Sequence, residues 1–551
     1  LKKIILVGIN SQYIHTNLAI RYLKSYVEKY SDLKIELYES NINSQILTII
    51  REICELSPDK LIFSTYIWNK EYVFKIIKEI KKILPKVEIS LGGPEVTYDC
   101  EKLLEERSEL DYLLVGEGER VFLNFLTKEI SDVKGVYYRN NGKIEYNGDE
   151  NPIENLDEIP FPYTEEELKY EKKIVYYESS RGCPFSCSYC LSSIDKGVRY
   201  FSLERTKEDL KKFLDTDINL IKFVDRTFNL RKDRYLGIWK FLLENYKEGV
   251  TFHFEINANI FDEEIIEFLK TVPKDYFQFE IGVQSINKNT MDSINRRNLL
   301  ERLSNNVRAI TKNIHLHLDL IAGLPHDTYE TFKSSFNYVY DLKPEMVQLG
   351  FLKILKGTKI SKEIEQYQYK YIEFPPYEIL SNEFISYEQI VKLKDFEKML
   401  DFYYNSEKFS KSADYIIKNL YGAPFDFFED IASFYKVKGY ISIGHKETSL
   451  FNILVEFYKF KKFDNYDIFI EYLKYDFLCL GKPGMYPEWF ISSKDKDKHN
   501  LMLEKLDFKS SREAYKNTEI ETFKYNVLDN TKENVDIFFE YRKKMTKTTV
   551  C

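Results

Sequence analysis

Twice along this chain, short apolar strand-like runs alternate with amphipathic helical periods, and that rhythm limits the possible folds more than any other feature. The first series reads IILVGIN, KIELYES, KLIFSTYIW, VEISLGG and YLLVGEG, all before about residue 130. Between them, segments such as NLAIRYLKSYVEKY place apolar residues at three- and four-residue steps, which is a helical period. Strand–helix–strand repeats with short connections return the chain to a parallel neighbour, so a doubly wound, Rossmann-like α/β domain is predicted. Ligands of such sheets sit beyond the carboxyl ends of the strands. Those ends carry GINSQYIHTN, STYIWN, LGGPE and VGEGER. No G-x-G-x-x-G follows the first strand, which counts against a dinucleotide.

The second series starts at Lys173 and reads KIVYYES, LIKFVDRTFN, TFHFEINAN, YFQFEIGVQS, IHLHLDLIAGLP and MVQLGFLKIL. Helical periods such as TKEDLKKFLDT and EEIIEFLKTV fill the gaps. Six β/α units in about 185 residues predict a partial (β/α)6 TIM barrel with its site at the strand C-terminal ends. Between the two series, GVYYRNNGKIEYNG reads as a small hairpin and LDEIPFPYTEEEL as a proline-punctuated linker. Beyond the barrel the pattern becomes mostly helical and rich in Tyr, Phe and Lys. The expected domains are therefore 1–130, a linker over 131–170, the barrel over 171–358 and a helical domain over 359–551.

The net charge of −8 gives no global basic field for nucleic acid, although 80 basic residues can still form a local patch. No apolar run approaches the roughly 20 residues needed to span a bilayer. The opening LKKIILVGIN has the lysines of a signal peptide but leads straight into a helix without a small-residue cleavage site, so it reads as a first strand. The chain begins at Leu1, and an initiator methionine is expected ahead of it. Seven cysteines are too few and too scattered for a secreted disulfide framework, which points to a reducing cytoplasm. Cys54, Cys100, Cys479 and Cys551 lie far apart and read as packing or surface residues.

The other three cysteines, Cys183, Cys187 and Cys190, fall within SSRGCPFSCSYCLSS, just after the first barrel strand. Three thiolates on one loop can hold three irons of a [4Fe–4S] cubane and leave the fourth iron open. Zinc, with a fourth ligand from a distant histidine, and unligated thiols are the other readings.

This C-x-x-x-C-x-x-C spacing, with aromatic Tyr189 before the third cysteine, resembles the signature of the radical S-adenosylmethionine superfamily. The resemblance implies that the open iron is chelated by S-adenosylmethionine, whose one-electron cleavage gives methionine and a 5′-deoxyadenosyl radical. EIGVQS, with Gly282, Gln284 and Ser285, and DLIAGLP, from Asp319 to Pro325, resemble the family's fourth and fifth strand ends. By the same likeness Asp225, in FVDRTFN, corresponds to a contact for the methionine amino group or to a structural turn; the family's glycine-glycine-glutamate pattern is absent there. Arg296 and Arg297 are candidates for its carboxylate, because guanidinium pairs bidentately with carboxylates.

The front domain, with LGGPEV and VGEGER, resembles the cobalamin-binding domain of cobalamin-dependent members of this group, and the linker phrase LDEIPFPY recurs among them. The likeness spans residues 1 to about 355 and places cobalamin against Gly92, Gly93, Gly116, Glu117 and Gly118. The D-x-H-x-x-G motif that would supply a lower cobalt ligand is missing. His15, in the first loop, is a candidate, though a lone loop histidine more often serves as a hydrogen-bonding residue. The family implies methylation of an unactivated carbon, or, in a minority, reduction or rearrangement without methyl transfer. It also implies a one-electron donor such as flavodoxin or ferredoxin.

The C-terminal region resembles an uncharacterised domain found behind this barrel, expected to cap its mouth and choose a small-molecule or tRNA substrate. Segments such as KFKKFDNY, KYDFLCLGKPGMYPEWF and EYRKKMTK combine the aromatics and lysines of an RNA surface, but acidic residues are about as frequent, as on a solvated helical face. Reduction of a tRNA nucleoside such as epoxyqueuosine, and a non-catalytic corrinoid carrier, are the alternative functions.

Overall fold

The computed structural model describes residues 2–170, 173–194, 197–297, 299–504, 506, 510–541 and 546–550. Cys551 and residues 542–545 of the lysine-rich EYRKKMTK segment lie outside them. The chain forms two compact units, Leu1–Thr328 with Gly350–Ile385, and Tyr329–Leu349 with Ser386–Cys551.

The first unit begins with a seven-stranded sheet made of β1 (Ile4–Asn10), β2 (Ile35–Asn41), β3 (Lys60–Ser64), β4 (Glu88–Gly92), β5 (Tyr112–Leu114), β6 (Val136–Asn140) and β7 (Lys143–Tyr146). Their order is β2-β1-β3-β4-β5-β6-β7, and the first five strands pair in parallel. Every residue of β1 is buried, as a strand covered on both faces requires. Successive side chains of a strand point to opposite faces. Accordingly Ile5, Val7 and Ile9 join a core with Ile49, Ile53, Val73, Ile76 and Ile80, whereas Ile4 and Leu6 join one with Ile20, Val27, Val121 and Phe122. The hairpin placed in a linker by the sequence is instead the edge of this sheet. Tyr112 of β5 faces Tyr138 of β6 in antiparallel register.

The second sheet of this unit is the barrel wall. Its strands are β8 (Val175–Tyr177), β11 (Leu220–Phe223), β12 (Thr251–Glu255), β13 (Phe277–Gln284) and β14 (His315–Ala322), in the order β14-β13-β12-β11-β8, and β15 (Met346–Phe351) begins in the second unit and ends in the first. A short antiparallel ladder, β9 (Ser180–Gly182) with β10 (Val198–Tyr200), follows the first of them. In β13, Phe277, Phe279, Ile281 and Val283 are buried, while Gln278, Glu280 and Gly282 alternate with them at intermediate exposure. Beyond the barrel the unit adds a two-stranded ladder, β16 (Lys370–Tyr371) with β17 (Ile379–Ser381), in a stretch the sequence assigned to the helical domain. Tyr377 in that stretch donates to Glu95 (2.7 Å) of the front domain, and Lys70 donates to Tyr377 Oη (2.9 Å).

The alternate positions of the barrel strands are unusually polar. Lys222 Nζ lies 3.1 Å and His253 Nε2 3.0 Å from Glu280 Oε2, and His317 Nε2 lies 3.0 Å from His315 Nε2 and 3.1 Å from Gln278 Nε2. Burial works against the charge of Glu280, but the His253 ring and Lys222 ammonium beside it lower its carboxyl to about 2. A carboxyl depressed in the folded state stabilises above its unfolded value near 4.5, and that contribution is lost as pH falls toward 2. Glu280→Gln is therefore expected to lower the thermal midpoint of the metal-free protein at pH 7 and to flatten its fall between pH 5 and 3. An unchanged acid profile by circular dichroism would contradict this.

The second unit holds the helices Tyr329–Asp341, Tyr387–Leu400, Ser412–Leu420, Pro424–Val437, Glu447–Lys461, Tyr466–Cys479, Lys496–Leu503 and Ser511–Asn517. A three-stranded antiparallel sheet, β18 (Thr518–Phe523), β19 (Val535–Tyr541) and β20 (Thr546–Val550), completes it. Aromatic pairs carry its core, among them Phe396 stacked on Phe425 at 4.5 Å and Tyr458 on Phe469 at 4.1 Å. No described helix is long and apolar enough to cross a membrane.

Candidate active site

The cysteine loop is fixed at both ends. At its entry the carboxylate of Asp225, only 1% exposed, accepts from Ser179 N (2.9 Å), Ser179 Oγ (2.7 Å) and Ser180 Oγ (2.5 Å). Burial pushes the Asp225 pKa up while those donors oppose the rise. The β9–β10 ladder then closes the loop by pairing Gly182 with Val198. Gly182 sits at φ +95°, and a Cβ there would meet Gly197 O at 2.1 Å, so only glycine fits this closure. Within the loop, Ser188 N donates to Ile294 O (3.0 Å), Ile360 N donates to Ser188 O (2.9 Å), and Cys190 N donates to Cys187 O (3.2 Å).

Cys183, Cys187 and Cys190 are free thiols, with Cys187 buried and the other two partly exposed. Burial raises the Cys187 pKa, Arg296 opposes it, and the neighbouring Cys190 and Cys183 add to the rise. Arg296 Nη1 lies 3.8 Å from Cys187 Sγ, and its Nη2 donates to Gly282 O at 2.6 Å. Tyr189 stands beside the same guanidinium, its hydroxyl pushed well up by burial. A Cβ on Gly282 would meet Gln284 Nε2 at 2.2 Å and Arg296 Nη2 at 3.0 Å, so the glycine lets those side chains converge. Gln284 adopts φ +69°. Gln284 Oε1, Arg296 Nε and Asp319 Oδ1 are buried without a hydrogen-bond partner, a costly state that a bound ligand relieves.

The fold thus brings Cys183, Cys187, Cys190, Tyr189, Gly282, Gln284 and Arg296 together. Ser285 is fully buried, its Oγ accepting from Asn287 N at 3.1 Å within its own turn. Arg297, next to Arg296 in sequence, is exposed. Among the described residues no three His, Cys, Asp or Glu side chains gather about a single ion. The donor set and its spacing fit the cluster.

A cleft of about 1540 Å³ opens between the strand ends of the front domain and those of the barrel. That exceeds the usual range for drug-sized ligands, roughly 300–1,000 Å³. Gly92, Gly93, Gly116, Glu117 and Gly118 all line it. Their roles differ. A Cβ on Gly93 would press on Thr65 O at 2.6 Å and one on Gly118 on Leu23 Cδ2 at 2.8 Å, so these glycines serve close packing. Gly116, at φ +85°, has no atom within 4 Å of that position and leaves its space to a ligand. Glu117 accepts from Arg199 Nη1 (3.2 Å) and Ile153 N (3.1 Å), while Arg181 Nη1 and Nη2 donate to Glu119 at 3.1 and 2.5 Å. These ion pairs bind the front domain to the barrel along the cleft. His15 lies at its edge, with Nδ1 2.7 Å from the Tyr176 hydroxyl and its pKa lowered by burial.

Sequence reasoning missed three carboxyls and one guanidinium on or just past the barrel strands. Glu178 and Glu255 reach the cleft, and burial pushes each pKa up to about 7. Arg226 lines it too. Asp319, quoted only as part of a motif, has its carboxyl raised by burial. Strand alternation was the available signal, since Glu255 shares the parity of His253 in TFHFE.

Three family descriptions match the chain: a B12 binding domain over residues 4–126, the radical SAM superfamily over 177–339, and a protein domain of unknown function, DUF4080, over 365–539. The first two together cover more than half of it. Among curated relatives, an uncharacterized methyltransferase of Pyrococcus horikoshii is 28% identical over 362 residues, 62% of this chain and 77% of that protein. The cobalamin-dependent radical SAM methyltransferase TokK of Streptomyces tokunonensis is 26% identical over 400 residues, 66% of this chain but only 57% of its own length. Among solved structures, the cobalamin-dependent S-adenosylmethionine radical enzyme OxsB with aqua-cobalamin bound shares the fold, with a TM-score of 0.61 and 17% identity over 87% of this chain and 80% of that one. With a B12 binding domain and, behind it, a radical SAM domain that contains the cysteine loop, the chain joins the domains of a cobalamin-dependent radical S-adenosylmethionine enzyme, and the cofactors they imply are a [4Fe–4S] cluster, S-adenosylmethionine and cobalamin.

Proposed function

We propose that this enzyme methylates an unactivated carbon, consuming two S-adenosylmethionines and two electrons per product. One S-adenosylmethionine supplies the methyl group and leaves as S-adenosylhomocysteine. The other is cleaved with one electron, takes the hydrogen from the substrate carbon, and leaves as methionine and 5′-deoxyadenosine. When bound, the cluster and cobalamin supply the electron transfer and the methyl-carrying chemistry that no side chain can.

The protein's share is positioning. Cys183, Cys187 and Cys190 would hold the cluster, with Arg296 placing positive charge against Cys187. Gln284, Arg296 and Asp319 offer the unpartnered polar atoms suited to S-adenosylmethionine. Gly116 leaves room for the corrin. The single observation that carries the reading is the cleft, which runs from the front-domain strand ends past Glu178, Arg226 and Glu255 to Gly182 and Leu191, the sequence neighbours of Cys183 and Cys190, so one cavity can seat a substrate between the two proposed cofactor sites. The named methyltransferases among its relatives support methyl transfer; reduction of a tRNA nucleoside has no comparable support.

The test is an anaerobic reconstitution with iron, sulfide and cobalamin, read by cofactor content and by the electron paramagnetic resonance of the reduced cluster. The expected result is one cubane and one cobalamin per chain, with a spectrum that changes when S-adenosylmethionine is added. A cluster spectrum indifferent to S-adenosylmethionine would refute the reading.

A further inference from the structure

The cleft contains two opposite charges without partners. Glu255 ends β12, and Arg226 lies just past β11, the adjacent parallel strand. Continuing the register of Lys222 with His253, Val224 stands opposite Glu255 and Arg226 two positions further on. Both side chains line the cleft, and the Arg226 charge acts on the Glu255 carboxyl. Yet neither makes a hydrogen bond or an ion pair within 4.0 Å with another described side chain. The other ionic groups around them are engaged: Glu280 with Lys222, Glu178 with Arg181, and Asp225 with its two serines.

Glu255 is partly withdrawn from water, where a charge is costly unless something pairs with it, whereas Arg226 is exposed to the open cleft and free to meet a ligand. Burial presses on the Glu255 carboxyl, which faces Glu280 and Asp225 as well as Arg226 and Lys222. Two facing charges of opposite sign, too far apart to meet, are complementary to a ligand that carries both signs close together. A guanidinium takes a carboxylate bidentately, and a carboxylate takes an ammonium.

We propose that Arg226 and Glu255 form the subsite for the zwitterionic head of the substrate, an α-amino acid, with Arg226 on its carboxylate and Glu255 on its ammonium. This rests on the methyltransferase reading and gives its substrate class.

The test uses holoenzyme carrying cluster and cobalamin, saturated with S-adenosylhomocysteine so that the aminocarboxyl site of S-adenosylmethionine is filled. The twenty proteinogenic L-amino acids are then titrated by thermal shift and by calorimetry. At least one is expected to bind, and both its N-acetyl and its amide derivative should bind more than tenfold more weakly. Arg226→Lys and Glu255→Gln should each weaken that amino acid at least tenfold, with cobalamin content and S-adenosylhomocysteine affinity unchanged. No binding to wild-type holoenzyme would overturn the assignment, as would binding indifferent to both substitutions. Lost cobalamin in the variants would give the pair to the corrin, and lost S-adenosylhomocysteine would give it to S-adenosylmethionine; either overturns it. Cofactor loading and 5′-deoxyadenosine formation, read on the same wild-type preparation, report separately on the methyltransferase reading.

Discussion

Cys187→Ala is expected to abolish 5′-deoxyadenosine formation, with a loss well beyond a hundredfold. Changes to groups that merely support metal ligands already cost about 10–100-fold in affinity or activity, and Cys187 is one of the three thiols proposed to hold the cluster. It is also the buried one, set 3.8 Å from Arg296, so no water can approach its position as freely as at Cys183 or Cys190. The variant should be isolated with little or no cubane absorbance and yet bind cobalamin normally, because the front-domain glycines are untouched. Turnover near the wild-type rate would mean that these thiols hold no catalytic cluster. Loss of cobalamin together with the cluster would mean that the fold had failed.

The complementary expectation concerns the front domain. Gly116→Leu should reduce cobalamin loading by more than about tenfold, while iron and sulfide content stay at wild-type levels. Two effects act there, because a left-handed φ strains any Cβ-bearing residue by roughly 1–2 kcal/mol and the new side chain fills the open space of the cleft. Gly142 separates them. It has φ +78° and open surroundings as well, but it lies in the β6–β7 turn and does not line the cleft. Gly142→Leu should therefore carry the same backbone strain and leave cobalamin unaffected. Equal losses in both variants would reduce the argument for Gly116 to strain alone.

Much of this architecture can be read from sequence because it depends on local periodicity. A buried parallel strand such as IILVGIN and a helix such as KEYVFKIIKEIKKI announce themselves by composition and spacing. What escapes is pairing at a distance. GVYYRNNGKIEYNG reads plainly as a hairpin, but nothing within it says that Tyr138 will face Tyr112 and extend the front sheet. The β16–β17 ladder is hidden for the same reason, since its short strands are set by contacts such as Ile379 N to Leu352 O. The terminal sheet of the second unit lies among charged and aromatic residues whose alternation is weak.

The site divides in the same way. Three cysteines at fixed spacing define a loop on their own. Choosing between Arg296 and Arg297 is beyond sequence, because it depends on a left-handed turn at Asn295 (φ +53°) that swings Arg296 toward Cys187 and leaves Arg297 in solvent. Asp225 reads as a ligand contact or a turn. The structure surrounds it with Ser179 and Ser180, and we propose that it positions the cysteine loop. Arg226 and Glu255 carry no motif. They stand out only once the strands are in register and every neighbouring charge has been given its partner.

The most direct test of methyl transfer by this enzyme is an isotope balance. Anaerobic holoenzyme would receive S-adenosylmethionine deuterated in the methyl group, a reductant, and amino-acid and metabolite fractions, with products followed by mass spectrometry. The expected result is S-adenosylhomocysteine and 5′-deoxyadenosine in equal amounts, with a product that has gained the deuterated methyl. Substrate-dependent 5′-deoxyadenosine without S-adenosylhomocysteine or label in any product would contradict it.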